Sequence, residues 1–174
     1  MYVFNQLKRV CGRPLLRVIY FALAHSLLQY CITSWGGSYE NTIQKLRRTQ
    51  NILLRIILHK PRLFSTTELY NIFDVPNTLD IYIYKTSIYA IKQSTNWTQT
   101  QTITRQSGQI RTERIHKSLY KRHFSFIGKK LYNVLPEGIK ASKEKEIITK
   151  TTKRLVKEWI KDKQHLPFVD RMQL

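Results

Sequence analysis

His25, Tyr30, Cys31 and Trp35 fall in one stretch, HSLLQYCITSWGG, and such side chains can build acid-base or thiol chemistry. The surroundings argue against that use. The stretch ends a long apolar run, Ser, His and Cys are few and ordinary in context, and His25 reads as a hydrogen-bonded helix residue. Metal-assisted phosphoryl transfer needs two or three converging carboxylates, whereas the eleven acids here are scattered. Only Glu144 and Glu146 stand close, and a helix would place them on different sides. No GxxxxGK[ST], GxSxG or HExxH motif occurs. Cys11 and Cys31 form no CxxC pair and the five histidines lack zinc spacing, so no catalytic centre, metal site or cofactor is expected.

What the side chains do offer is positive charge. Thirty Lys and Arg face eleven Asp and Glu, a formal net charge of +19 over 174 residues, and such a surface expects a polyanion. The excess lies in two blocks: residues 1–60 carry 9 basic and 1 acidic residue, 61–93 are balanced at 3 and 3, and 94–140 carry 9 and 2. On a helical wheel Lys45, Arg48 and Arg55 fall within roughly 80° of one another, away from the apolar face. Lys117, Lys121, Arg122, Lys129 and Lys130 interleave with Tyr120, Phe124, Phe126 and Tyr132, a mixture that suits phosphates and bases together. The rings read chiefly as core, and the basic side chains as the phosphate contacts.

The elements that would carry these residues are helical. Pro14 suits a first helical turn, and Leu16, Ile19, Tyr20, Leu23, Leu27 and Tyr30 recur at helical steps, predicting a helix to about Trp35 closed by Gly36-Gly37. Within it Leu27, Leu28, Tyr30 and Ile32 are expected in the core. Ser38 or Asn41 is expected to cap a second helix with an apolar face of Ile43, Leu46, Leu53, Leu54, Ile57 and Leu58, ending near His59; Ile52 and Ile56 are expected to be core as well. Ser65-Thr66-Thr67-Glu68 is a capping box for a helix over 66–73. Residues 79–92 contain the strand-like Ile81-Tyr82-Ile83-Tyr84, but their flanks favour helix. Ser142 is expected to cap a last helix with Ile147, Ile148, Leu155, Val156, Trp159 and Ile160 on one face.

The expected architecture is all-α: a small helical bundle over 1–93, a polar Thr/Gln-rich linker over 94–112, and a basic helical region over 113–174. The apolar run 18–32 is shorter than the ~20 residues of a span, so no membrane is expected. The N-terminus lacks a secretory pattern and the cysteines suggest a reducing compartment, so an intracellular site, cytoplasmic or nuclear, is expected.

Two motifs in order resemble the region downstream of the catalytic core in jockey-like non-LTR retrotransposon reverse transcriptases. The family's LYxALxHSxLxYGIxxWG, followed by LxxLQxRAxRII, is matched by Tyr20, Ala22, Leu23, His25, Ser26, Leu28, Tyr30, Ile32, Trp35 and Gly36 and then by IQKLRRTQNILLRII. Cys31 stands where the family often has glycine. Thr104-Arg105 and FSFIGKKLYNVLP resemble its TR and FxxxGxKLWNxLP, through Phe124, Phe126, Gly128, Lys130, Leu131, Asn133, Leu135 and Pro136; Tyr132 replaces the usual tryptophan. The resemblance implies structural roles for His25, Tyr30, Trp35, Gly36, Gly128, Asn133 and Pro136. It implies a thumb that grips template and primer by their backbones, without the palm carboxylates of the RNA-directed DNA polymerase or an endonuclease. The implied partners are RNA, DNA or their hybrid, with a reverse-transcriptase palm as a further one. Lys45, Arg48 and Arg55 are the expected grip, with Arg105 and the cations of 117–130 beside them. Two rival readings remain open: a subunit completing a polymerase in trans, and a truncated relic or recruited protein-interaction module.

Overall fold

The computed structural model describes residues 2–98, 109–141 and 148–163. These residues are helical, and no β-strand occurs among them. The chain divides into two compact units, Met1–Ile81 and Tyr82–Leu174. The division falls inside a helix, ahead of the polar run at which composition ends the first domain.

The first unit contains α1 (Tyr2–Val10), α2 (Arg13–Tyr20), a π-helical turn (Phe21–His25), α3 (Ser26–Gln29), α4 (Ile32–Trp35), α5 (Glu40–Ile57), α6 (Thr66–Phe73) and the start of α7 (Thr78–Gln93). Phe4, Leu16, Tyr20, Leu53, Leu54, Ile57, Leu58, Leu69, Phe73 and Val75 form its core, where the Tyr20 and Phe73 rings meet edge to face at 5.6 Å. Helix α1, unforeseen in the sequence because its apolar patch is brief, adds Phe4 and Leu7 to this core. The capping box at α6 forms as expected, Ser65 Oγ accepting from the Glu68 amide at 3.5 Å. The cap of α5 does not: Tyr39 holds that position, and neither Ser38 nor Asn41 supplies a side-chain cap.

A polar group occupies the centre of this apolar unit. Gln50 is 3% exposed; its amide nitrogen donates to Tyr20 Oη at 2.9 Å and to the Pro76 carbonyl at 3.0 Å. Its carbonyl oxygen accepts from the Thr78 amide at 3.0 Å and from Thr78 Oγ1 at 2.9 Å. Both hydrogens and both lone pairs are thereby used, and the Thr78 amide fixes which end of the Gln50 side chain is oxygen. Asn77 Oδ1 then caps α7 by accepting from the Asp80 amide at 2.9 Å. Residues 79–92 are accordingly helical, as their flanks indicated.

The helix expected to run to Trp35 departs from its expected course twice. First, the π turn at Phe21–His25 inserts one residue, so the buried face advances from Leu16 and Tyr20 to His25 and Ile32. One extra residue rotates the downstream face by about 100°. Leu23, Leu27 and Tyr30 therefore point outward, Leu27 and Tyr30 at 75% exposure, which corrects their expected place in the core. Second, Cys31 adopts a left-handed conformation (φ 48°, ψ 26°) that ends α3 and starts the single turn α4. The Trp35 indole donates to the Tyr30 carbonyl at 2.7 Å across this break. Tyr30 thus contributes its backbone rather than its ring. Gly36 is buried beside it, its amide donating to the Ile32 carbonyl at 2.7 Å.

The second unit takes α7 from Tyr82 onward, a 3₁₀ turn (Ser94–Asn96), α8 (Ser118–Lys121), α9 (Phe124–Val134), α10 (Glu137–Ala141) and α11 (Lys150–Asp162). Gly128 lets α9 approach α7: a Cβ there would lie 3.5 Å from the Trp97 ring, 3.6 Å from Ala90 Cβ and 3.7 Å from the Tyr89 ring. A methyl group fills that contact; anything larger overlaps it. The Asn133 side chain donates to the Ile110 carbonyl at 3.0 Å and accepts the Ile110 amide at 2.8 Å, so one end of the expected linker is pinned and Ile110 is buried. Pro136 ends α9 and offers its carbonyl to the Ile139 amide at 3.0 Å, opening α10. Helix α11 begins at Lys150 with Thr149 as its cap and buries Val156 and Ile160; Ser142 and Ile147 lie outside the described residues.

Three consequences are measurable. Gln50→Leu keeps the volume but strips partners from Thr78, Tyr20 and Pro76, and should cost about 3 kcal/mol in chemical denaturation. Cys31→Gly relieves the left-handed backbone at an exposed site and should stabilise by about 1 kcal/mol in the same assay. Burial pushes the Tyr82 phenol up to about 12 and raises those of Tyr20 and Tyr70 as well. A raised phenol favours the protonated fold, so stability should be level below pH 10 and fall between pH 10 and about 12, where the unfolded chain ionises first. Tyr82→Phe should flatten part of that fall in alkaline melts.

Candidate nucleic-acid interface

The burial of Gln50 sets the outward face of α5. Lys45 and Arg48 stand about 140° and 160° around the helix from it, and both are exposed. Arg48 donates to Gln44 Oε1 one turn away at 3.1 Å, which extends its guanidinium along the surface. Arg47, next to them, is instead paired with Glu40 at 3.1 Å. Arg55 shares the wheel sector but serves the fold instead. It is half-buried and its Nη2 donates to the Phe64 carbonyl at 3.0 Å, tying α5 to the following loop. Ile52, expected in the core, is 46% exposed on this side, while Ile56 is half-buried against the core.

In the second unit residues 111–117 run extended and largely exposed before α8, carrying Arg111, Arg114 and Lys117 outward. Lys121 is exposed and Arg122 half-buried. Glu113 gathers two partners, Lys129 Nζ at 3.1 Å and the Tyr120 hydroxyl at 3.4 Å, and the Lys129 ammonium holds its carboxyl below the usual range. Lys129, with 18% of its side chain accessible, is therefore committed to this pair rather than offered to a phosphate. Lys130 is exposed with its ammonium 5.2 Å from the centre of the Phe126 ring.

The rings between these cations are mostly packing groups. Phe126 is buried, Phe124 meets Tyr89 edge to face at 5.0 Å, and Tyr132 meets Trp97 at 6.4 Å. Tyr120 is the exposed one of the four, lying nearly parallel to His123 with ring centres 5.9 Å apart. His123 in turn caps α9 through Nδ1, which accepts from the Ser125 amide. His25 is buried, its ring 4.8 Å from that of Phe21 and hydrogen-bonded to Gln29, as a helix residue should be.

The expected contacts thus sort by environment. Lys45 and Arg48 lie together in the first unit, while Lys117, Lys121 and Lys130 are exposed in the second. Arg55 and Lys129 hold the fold, and Arg105 lies outside the described residues. Arg111 and Arg114 are exposed cations that motif reasoning passed over; their signal was the acid-poor composition around them. No group of three or more His, Cys, Asp or Glu able to hold a metal ion occurs among the described residues. No described helix is long and apolar enough to cross a membrane. Comparison with models of protein families, with curated proteins and with solved structures returns no match.

Proposed function

We propose that this chain is a non-catalytic, thumb-like part of a jockey-like retrotransposon reverse transcriptase, binding RNA or DNA through its backbone with little sequence preference. The observation that carries the proposal is the set of exposed cations on rigid helical supports, Lys45 and Arg48 on α5 and Lys117, Lys121 and Lys130 around α8 and α9, in a chain of net charge +19. Motif positions lend support through the physical demands at each. The residue that the family often has as glycine is Cys31, in the left-handed region; Gly128 sits where the helices approach; and Asn133 clamps a backbone. Such binding positions a nucleic acid and transfers no phosphoryl group.

One observation favours a second reading, that of a subunit completing a polymerase in trans. Val18, Leu23, Leu27 and Tyr30 form an outward apolar row along α2 and α3, at 64%, 49%, 75% and 75% exposure. Apolar surface of this kind suits a docked domain. Purified chain would then lack polymerase activity and gain it on mixing with a palm fragment.

For the principal reading, affinity for duplex DNA should fall steeply with salt, by a slope of about −0.9 per phosphate neutralised in log K against log salt. Replacing Lys45 and Arg48 together by Gln should weaken binding to all sequences alike and make the slope shallower by about 2, in fluorescence anisotropy titrations. Lys129→Gln, by contrast, should lower stability slightly and leave affinity close to the parent's. Affinity that is flat between low and physiological salt would exclude the reading.

A further inference from the structure

The basic face of α5 does not end with Arg48. Beyond it, the last turn of α1, the end of α5 and the loop that follows enclose an open groove of about 810 Å³. Ile52, Ile56 and Pro61 give it an apolar floor, and Lys8, Lys60 and Arg62 rim it with positive charge. Arg55 and His59 complete the lining, and Arg55 is already held to Phe64.

Three features set this groove apart from an ordinary charged surface. Among the described residues no carboxylate lies within ion-pair distance of Lys8, Lys60 or Arg62, so the like charges around one concavity have nothing to offset them. A helix C-terminus attracts cations to its own last turn, which accounts for Lys8 on α1 and Arg55 on α5. It does not account for Arg62, which lies past Pro61 and outside both helices. Finally, the groove pairs its charge with exposed aliphatic surface, Ile52 being 46% exposed, and its volume lies in the range of about 300–1,000 Å³ typical of ligand sites.

A ligand that fits must combine an anion with a flat apolar face. We propose that the groove holds one nucleotide of a single-stranded nucleic acid, the phosphate among Lys8, Lys60 and Arg62 and the base against Ile52, Ile56 and Pro61. This rests on the reading that the chain binds nucleic acid and adds a preference to it. A duplex keeps its bases inside and offers the groove only phosphates, whereas a single strand can turn a base onto the floor. The groove therefore favours single strands, and Lys45 and Arg48 bind either form.

The test compares a labelled oligothymidylate with a hairpin duplex in anisotropy titrations on the whole chain. Ile52→Asn should weaken the single strand about tenfold and leave the duplex unchanged. Lys60→Gln with Arg62→Gln should make the single-strand salt slope shallower by about 1.4, at ~0.7 per phosphate. All three positions are exposed, and circular dichroism with a thermal melt verifies that the variants fold as the parent does. If the parent binds both probes and the variants bind as it does, the groove assignment is overturned while the functional reading stands. If the parent binds neither probe, both fall together. If oligoglutamate displaces the oligothymidylate as readily as unlabelled strand does, the groove takes anionic peptide and the nucleotide assignment is wrong.

Discussion

One buried amide sets the arrangement of the first unit. Gln50 reaches Tyr20 on α2, the Pro76 carbonyl before α7 and Thr78 at the start of α7, so three helices are registered against a single side chain. Apolar contacts alone tolerate rotation of a helix about its axis; four directional hydrogen bonds in a dry environment do not. The Tyr20 hydroxyl, itself kept protonated by burial, is held by this amide while its ring packs edge to face on Phe73. The outward direction of Lys45 and Arg48 is thus a by-product of where Gln50 must point. A surface charge pattern is here dictated from the interior.

The positive charge of the chain is divided between two kinds of work. Arg17 donates from Nε to the Phe73 carbonyl at 3.2 Å and from Nη2 to the Asp74 carbonyl at 2.8 Å, closing the C-terminal end of α6 as a cation should. Arg55 does the same for the loop at Phe64, and Lys129 for the extended segment through Glu113. These three cations build structure. Lys45, Arg48, Lys60 and Arg62 remain exposed, and their mutual repulsion is the drawback of a surface suited to polyanions.

What could be read from the sequence follows from the same distinction. The α6 capping box, the helical state of 79–92 and the buried face of Ile43, Leu53, Leu54 and Ile57 rest on local rules, and each is present in the fold. The division of labour among cations was not legible, because a wheel places Arg55 beside Arg48 without knowing that a carbonyl nine residues on lies within its reach. Gln50 escaped notice for a related reason: its value comes from partners distant in sequence. The N-terminal helix was missed because a short segment gains its stability from tertiary packing rather than from its own periodicity.

The π turn at Phe21–His25 gives the segment from Arg13 to Gln29 two phases, much as a shifted reading frame changes every codon after it. Upstream, Leu16 and Tyr20 face the core; downstream, His25 does. Point substitutions within the turn leave both phases intact, but deletion of one residue would bring them into a single frame, carrying Leu27 inward and His25 out. The apolar row on the outside of this helix therefore owes its existence to one residue's worth of backbone phase, and a lineage could hide or expose that row by the loss or gain of a single codon.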